Sequence, residues 1–302
     1  MSDFLPALTP SLLIALVAAA VALALLAGGG VVLVRRRRRR AAVQREQRPQ
    51  RRPQQKIARP LPVVLAHGIL GFDKLPLPVS GTEYFRGVAD RLRGLGMEVH
   101  TVRVPPLSSV KDRAEDLARA VRQLDSPRVN IIAHSMGGLD SRYAIAKLGL
   151  AARVASLTTV GTPHRGTPLA DAGTEVLGDR LKLRGVLEKL GIDVNALYDL
   201  TTARMQEFNE SVPDASGVLY GCYLARTKGL ALALNPLLLP TYLYLSDRAG
   251  ENDGLVPTRS QRWGELLGQV EADHWAQIGW SATFDAPTFY AQMVRELVTR
   301  GL

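Results

Sequence analysis

The sequence predicts an α/β domain with a mostly parallel central sheet and helices on both faces, preceded by one N-terminal transmembrane helix. Three observations predict it. Strand-like and helix-like segments alternate after position 60, a short apolar strand runs through a His-Ser pair directly into a helix, and an uncharged stretch near the start is followed at once by arginines. The 302 residues are 46% hydrophobic and 22% charged, a globular composition with room for one large domain and an appendage.

The alternation runs in order. Leu61 to Ala66 is a short Val- and Leu-rich run bounded by Pro60 and Gly68, as a buried strand requires. Glu83 to Leu95 has helical spacing. Met97 to Val104 reads as a strand ended by Pro105 and Pro106, and Val110 to Leu124 as a helix with Ala114, Leu117, Val121 and Leu124 on one face. Val129 to Ala133 is an apolar strand, Met136 to Leu148 a helix stopped by Gly149, and Val154 to Val160 a further strand. Leu266 to Val270 can form the last strand. Strands separated by crossover helices pair in parallel, and such sheets bind ligands beyond their carboxyl ends.

The net charge of +10 is local. Twelve basic residues and one acid lie in residues 35–59, and 26 basic and 26 acidic residues follow, so the domain itself is formally neutral. This distribution argues against nucleic acid as a partner. Ser11 to Val34 carries no charge. As a helix it spans about 36 Å, enough for a hydrocarbon core of about 30 Å. Arg35 to Arg40 follow it, the reverse of a secretion signal's order. Residues 1–34 are therefore expected to be a membrane anchor (span about 11–34), 35–60 a basic, Gln- and Pro-rich linker, and 61–302 the α/β domain. The positive-inside rule places that domain on the cytoplasmic side of a single-pass membrane protein. Cys222 is the one cysteine, so no intramolecular disulfide forms.

The chemistry is concentrated at strand ends. In Val129-Asn-Ile-Ile-Ala-His-Ser-Met-Gly-Gly138 a strand turns sharply into a helix at Ser135, with small Ala133 and Gly137 flanking it at −2 and +2. That is the context of a nucleophile elbow, which lifts a serine hydroxyl above the sheet. Acyl transfer also needs two backbone N–H donors for the developing oxyanion. One comes from the residue after the nucleophile, Met136. The other is assigned to Ile69, in the loop His67-Gly68-Ile69 after the first strand. Among five histidines, His67 belongs to that loop, His134 adjoins the nucleophile, and His100 sits in a strand. His164, after a strand, could lie near the site. His274 alone comes late enough for the chain order Ser, acid, His with a good choice of intervening acids. Asp253, in an Asp-Gly turn, is the best placed acid. Asp247 and Glu251 are rivals, and Asp273 would point away from its neighbour His274.

These segments resemble the bacterial true lipases (family I triacylglycerol lipases) of the α/β-hydrolase superfamily. The matching stretches are Pro62 to Lys74, Ala133 to Tyr143, Thr158 to Gly166 and Asn252 to Val256. The resemblance implies an α/β-hydrolase fold, a lipase or carboxylesterase acting on lipid or other esters, the triad Ser135, Asp253 and His274, and Ile69 and Met136 as oxyanion donors. It also implies a lid, for which about 170–200 is the candidate. Many relatives hold calcium through an aspartate two residues beyond the catalytic histidine. This chain has Ala276 there, and no cofactor is expected. A phospholipase or acyltransferase of the same fold, or an inactive membrane-tethered binding module, are the alternatives.

Overall fold

The computed structural model describes residues 60–69, 83–179, 195–227, 234–281 and 283–302. The expected anchor, the linker up to Arg59 and the 180–194 part of the expected lid lie outside these. Among the described residues no helix is long and apolar enough to cross a membrane.

Among the described residues six strands form one sheet: β1 (Val63–Ala66), β2 (Val99–Val102), β3 (Val129–His134), β4 (Val154–Val160), β5 (Leu219–Arg226) and β6 (Glu265–Glu271). Their order is β2-β1-β3-β4-β5-β6, and every neighbouring pair is parallel. The helices are α1 (Val88–Arg93), α2 (Val110–Arg122), α3 (Gly137–Lys147), α4 (Pro168–Asp179), α5 (Asn195–Asp199), α6 (Thr202–Ser211), α7 (Leu239–Ala249) and α8 (Ala286–Thr299).

The period of two in a strand divides the core into two layers. In β1, Val63 and Leu65 face one side, where α1 contributes Val88 and Leu92 and α8 contributes Phe289, Tyr290 and Val294. Val64 and Ala66 face the other, where α2 contributes Ala114, Leu117 and Val121 and α3 contributes Ala144 and Ile145. All four β1 side chains are buried because the strand has helices above and below it. Each fully buried Val or Leu removes enough apolar surface from water to stabilise by about 1.5–3 kcal/mol. Ser109 starts α2 by accepting a hydrogen bond from the Asp112 N–H at 3.2 Å.

β5 and α8 are not among the segments read from the sequence. β5 extends the sheet between β4 and β6, and α8 closes the layer that α1 alone would leave open. The apolar Leu238 and Leu245 are buried.

Candidate active site

Every sequence-predicted site residue follows the carboxyl end of a strand. β1 leads to His67 and Gly68, β3 to Ser135, and β6 to His274. Asp253 is brought to the same edge beyond β5, where the Thr227 N–H donates to the Asn252 carbonyl at 3.1 Å. β1 lies beside β3 with Ala66 opposite Ala133, so the loop after β1 and the turn after β3 are neighbours.

Ser135 has φ = +55°, the one non-glycine residue with positive φ among those described. Such a backbone is strained for an L-residue and is held by its surroundings. The Ser135 N–H donates to the Val160 carbonyl at 3.0 Å, and the Thr162 hydroxyl donates to the Ser135 carbonyl at 2.7 Å. A Cβ on Gly137 would sit 2.5 Å from the Ala66 carbonyl oxygen, which is why the +2 position must be glycine. The same close approach seats Gly68 against the serine, since its Cβ would lie 2.6 Å from Ser135 Cβ and 3.1 Å from Oγ. Neither the Met136 nor the Ile69 N–H has an acceptor among the described residues, and Met136 is fully buried.

The loop before Ile69 is clamped by Arg113. This side chain, fully buried, donates to the carbonyls of Pro105 (2.7 Å), His67 (2.7 Å) and Gly68 (3.2 Å), and pairs with Asp140 at 2.8 Å. Burial pushes the Asp140 carboxyl up to about 6, against the pull of Arg113. Arg113 shares the buried face of α2 with Val110, Ala114 and Leu117. A charged residue on an apolar stripe is the signal by which the sequence could have revealed it.

His274 Nδ1 lies 2.8 Å from Asp253 Oδ2, and both side chains are buried. The His274 N–H also donates to the Asp253 carbonyl at 2.8 Å. Asp253 Oδ1 accepts from the N–H groups of Leu255 (3.0 Å) and Val256 (2.8 Å), so the Asp-Gly turn aims the other oxygen at the imidazole. The His274 ring lies 4.5 Å, centroid to centroid, from the ring of His134, the residue before Ser135. No hydrogen bond joins Ser135 Oγ to His274 among the described residues. Such contacts are often long without substrate and tighten when it binds.

The rivals are elsewhere. Asp247 is exposed, Glu251 pairs with Arg226, and Asp273 accepts from the N–H groups of Asn235, Trp275 and Ala276. His100 pairs with Glu98 on β2. His164 is buried between the Arg142 guanidinium, Thr159 and the stacked Trp263 ring. Ala276 is buried and has no side-chain oxygen, so the residues present do not fit the calcium site of the resemblance. Among the described residues no group of three or more His, Cys, Asp and Glu is placed to hold a metal.

Two buried histidines make stability depend on pH. Burial lowers both His134 and His164 well below the ordinary value of 6.5, so both stay neutral in the fold. The unfolded chain binds protons that the fold does not, so stability is lost as pH falls below about 6.5. Asp140, raised by burial, acts in the opposite direction, so comparison with a variant isolates the histidine. His164→Gln is expected to lose less stability than wild type between pH 7 and pH 5, read from urea midpoints. Identical losses in the two proteins would contradict this assignment.

Comparison with known proteins agrees with the fold. Residues 62–257 match the α/β hydrolase fold family. A triacylglycerol lipase 2 from Saccharomyces cerevisiae is 32% identical over 268 residues, covering 72% of this chain and 80% of the relative. A triacylglycerol lipase from Pseudomonas fragi is 28% identical over 68% of this chain and 83% of its own. Among solved structures, the Staphylococcus hyicus lipase superposes with a TM-score of 0.65 at 19% identity, covering 82% of this chain and 98% of that one. The mature Bacillus licheniformis lipase gives 0.61 at 22% identity, covering 80% and 96%.

Proposed function

This chain belongs to the α/β-hydrolase family, and on that premise we propose that it is a carboxylic ester hydrolase that cleaves acyl lipids through a covalent acyl-serine. The observation that carries the reading is the His274–Asp253 contact of 2.8 Å beside a serine held at φ = +55° on a strand-to-helix turn. Ser135 Oγ attacks the ester carbonyl as His274 Nε2 takes its proton. Asp253 holds the Nδ1 proton and stabilises the imidazolium. The N–H groups of Met136 and Ile69 receive the negative charge that develops on the carbonyl oxygen. Losing one such donor typically costs about 100- to 1000-fold in rate. The imidazolium protonates the departing alcohol, and a water activated by His274 then releases the fatty acid and restores Ser135.

Acyl lipid as substrate is supported by the relatives, which are triacylglycerol lipases, and by the uncharged run Ser11 to Val34 followed by Arg35 to Arg40. We place the domain on the cytoplasmic face of a membrane through that segment, within reach of inner-leaflet acylglycerols and phospholipids. One experiment tests both parts. Salt-washed membranes from cells making the full chain are expected to retain the activity and to release free fatty acid from triacylglycerol. Activity found in the soluble fraction would contradict the tether. Transfer of the acyl group to an added alcohol without free fatty acid would replace hydrolysis by acyl transfer. Release from phospholipid alone would favour a phospholipase.

A further inference from the structure

Asp253 Oδ2 has a second partner, and following it leads across the whole site. A carboxylate can only accept hydrogen bonds. Gln277 lies in the turn after β6, with its Nε2 2.8 Å from Asp253 Oδ2, so its amide nitrogen must face the acid. Its Oε1 therefore faces His134 Nε2 at 3.1 Å, and the proton of the neutral His134 ring must be on that nitrogen. The other nitrogen, Nδ1, is then bare and accepts from the Tyr84 hydroxyl at 2.7 Å. The Tyr84 oxygen in turn accepts from the Gly68 N–H at 3.0 Å. His134 and Gln277 are fully buried. Burial raises the Tyr84 hydroxyl far above its ordinary value, so it remains a donor at every working pH.

We propose that Gly68, Tyr84, His134, Gln277 and Asp253 form one polarised hydrogen-bond chain that couples the oxyanion loop to the carboxylate orienting His274, with Tyr84 and Gln277 as positioning residues for acyl transfer. The inference rests on the ester-hydrolase reading for the roles of Gly68's loop and Asp253, but the chain itself is a matter of geometry. Its four links join segments far apart in sequence: the loop after β1, the approach to α1, the end of β3 and the turn after β6. Each link has a single direction, and all follow from the acceptor-only carboxylate at one end. In a dry interior such bonds polarise one another, so cutting the chain once weakens all of it. Tyr84 and Gln277 touch neither the nucleophile nor its base in any hydrogen bond, so their effect on turnover passes through the groups they hold.

Two arms test this. In the first, Tyr84→Phe and Gln277→Met, both close in shape to the original side chains, are compared singly and together on a soluble ester. Each is expected to lower kcat about ten-fold with KM changed less than about two-fold, and the double variant no more than about twenty-fold, because members of one network are not additive. A double variant slowed by the product of the single effects, about a hundred-fold, would mean two separate local effects and overturn the proposal. In the second arm, imidazole nitrogen chemical shifts report the His134 tautomer. The proton is expected on Nε2 in wild type and on Nδ1 in Asp253→Asn, whose amide turns Gln277 over and reverses the links between position 253 and Tyr84, while the Gly68 N–H remains a donor to the Tyr84 oxygen. An unchanged tautomer would overturn the proposal, and this arm needs no variant at position 84 or 277. Wild-type turnover is measured first. If no ester is hydrolysed, the functional reading fails, and the tautomer comparison still decides the chain.

Discussion

Asp253→Asn is expected to lower kcat by about ten-thousand-fold in a protein that remains folded. The size of the effect follows from what surrounds the carboxylate. Four donors converge on it: the Leu255 and Val256 N–H groups on Oδ1, and His274 Nδ1 and Gln277 Nε2 on Oδ2. The backbone donors cannot change, so an asparagine must turn its carbonyl oxygen to them and its NH2 to the histidine. His274 then accepts at Nδ1 and carries its proton on Nε2, the nitrogen that has to take the proton from Ser135. The base is present, well placed and in the wrong tautomer. Steady-state kinetics on a soluble ester, with a melting curve to show that folding is retained, checks this. A loss smaller than about ten-fold would mean that another group orients the imidazole.

Arg113→Ala is expected to destabilise the protein by about 3–5 kcal/mol, because it leaves the buried Asp140 without its counter-charge. It also removes the guanidinium donors from the His67 and Gly68 carbonyls. The loop carrying Ile69 therefore loses its clamp, and kcat should fall more than KM rises, as for a group that positions transition-state donors. Urea titration measures the stability and steady-state kinetics the split. A variant as stable as wild type would show that the pair contributes nothing net to folding.

The parts of the fold that could be read in the sequence are those where local pattern and tertiary role coincide. β1, β3 and β4 are short apolar runs with turn residues at their ends, and α2 carries an apolar stripe. β5 was obscured by Gly221 in the middle of Leu219 to Arg226, since glycine weakens a strand pattern. The structure supplies the reason for it: a Cβ there would lie 2.7 Å from the Leu267 side chain on β6. Ser135 and His274 were legible because a strained turn and chain order leave marks in sequence. Asp253 was legible from its Asp-Gly turn and from the resemblance, and the fold adds the 2.8 Å contact with His274 that Asp247 and Glu251 lack. Tyr84 and Gln277 were not legible at all, because a tyrosine before a helix and a glutamine after a strand acquire their roles only when distant segments meet.

Ser135 is the residue on which the chemistry turns, and a fluorophosphonate probe reads its nucleophilicity most directly. Treatment of the folded, ester-hydrolysing protein, followed by peptide mass spectrometry, is expected to find one adduct on Ser135. The adduct should be absent in Ser135→Ala and much slower to form in His274→Ala. An active enzyme labelled on a different residue, or labelled equally well in Ser135→Ala, would contradict the account.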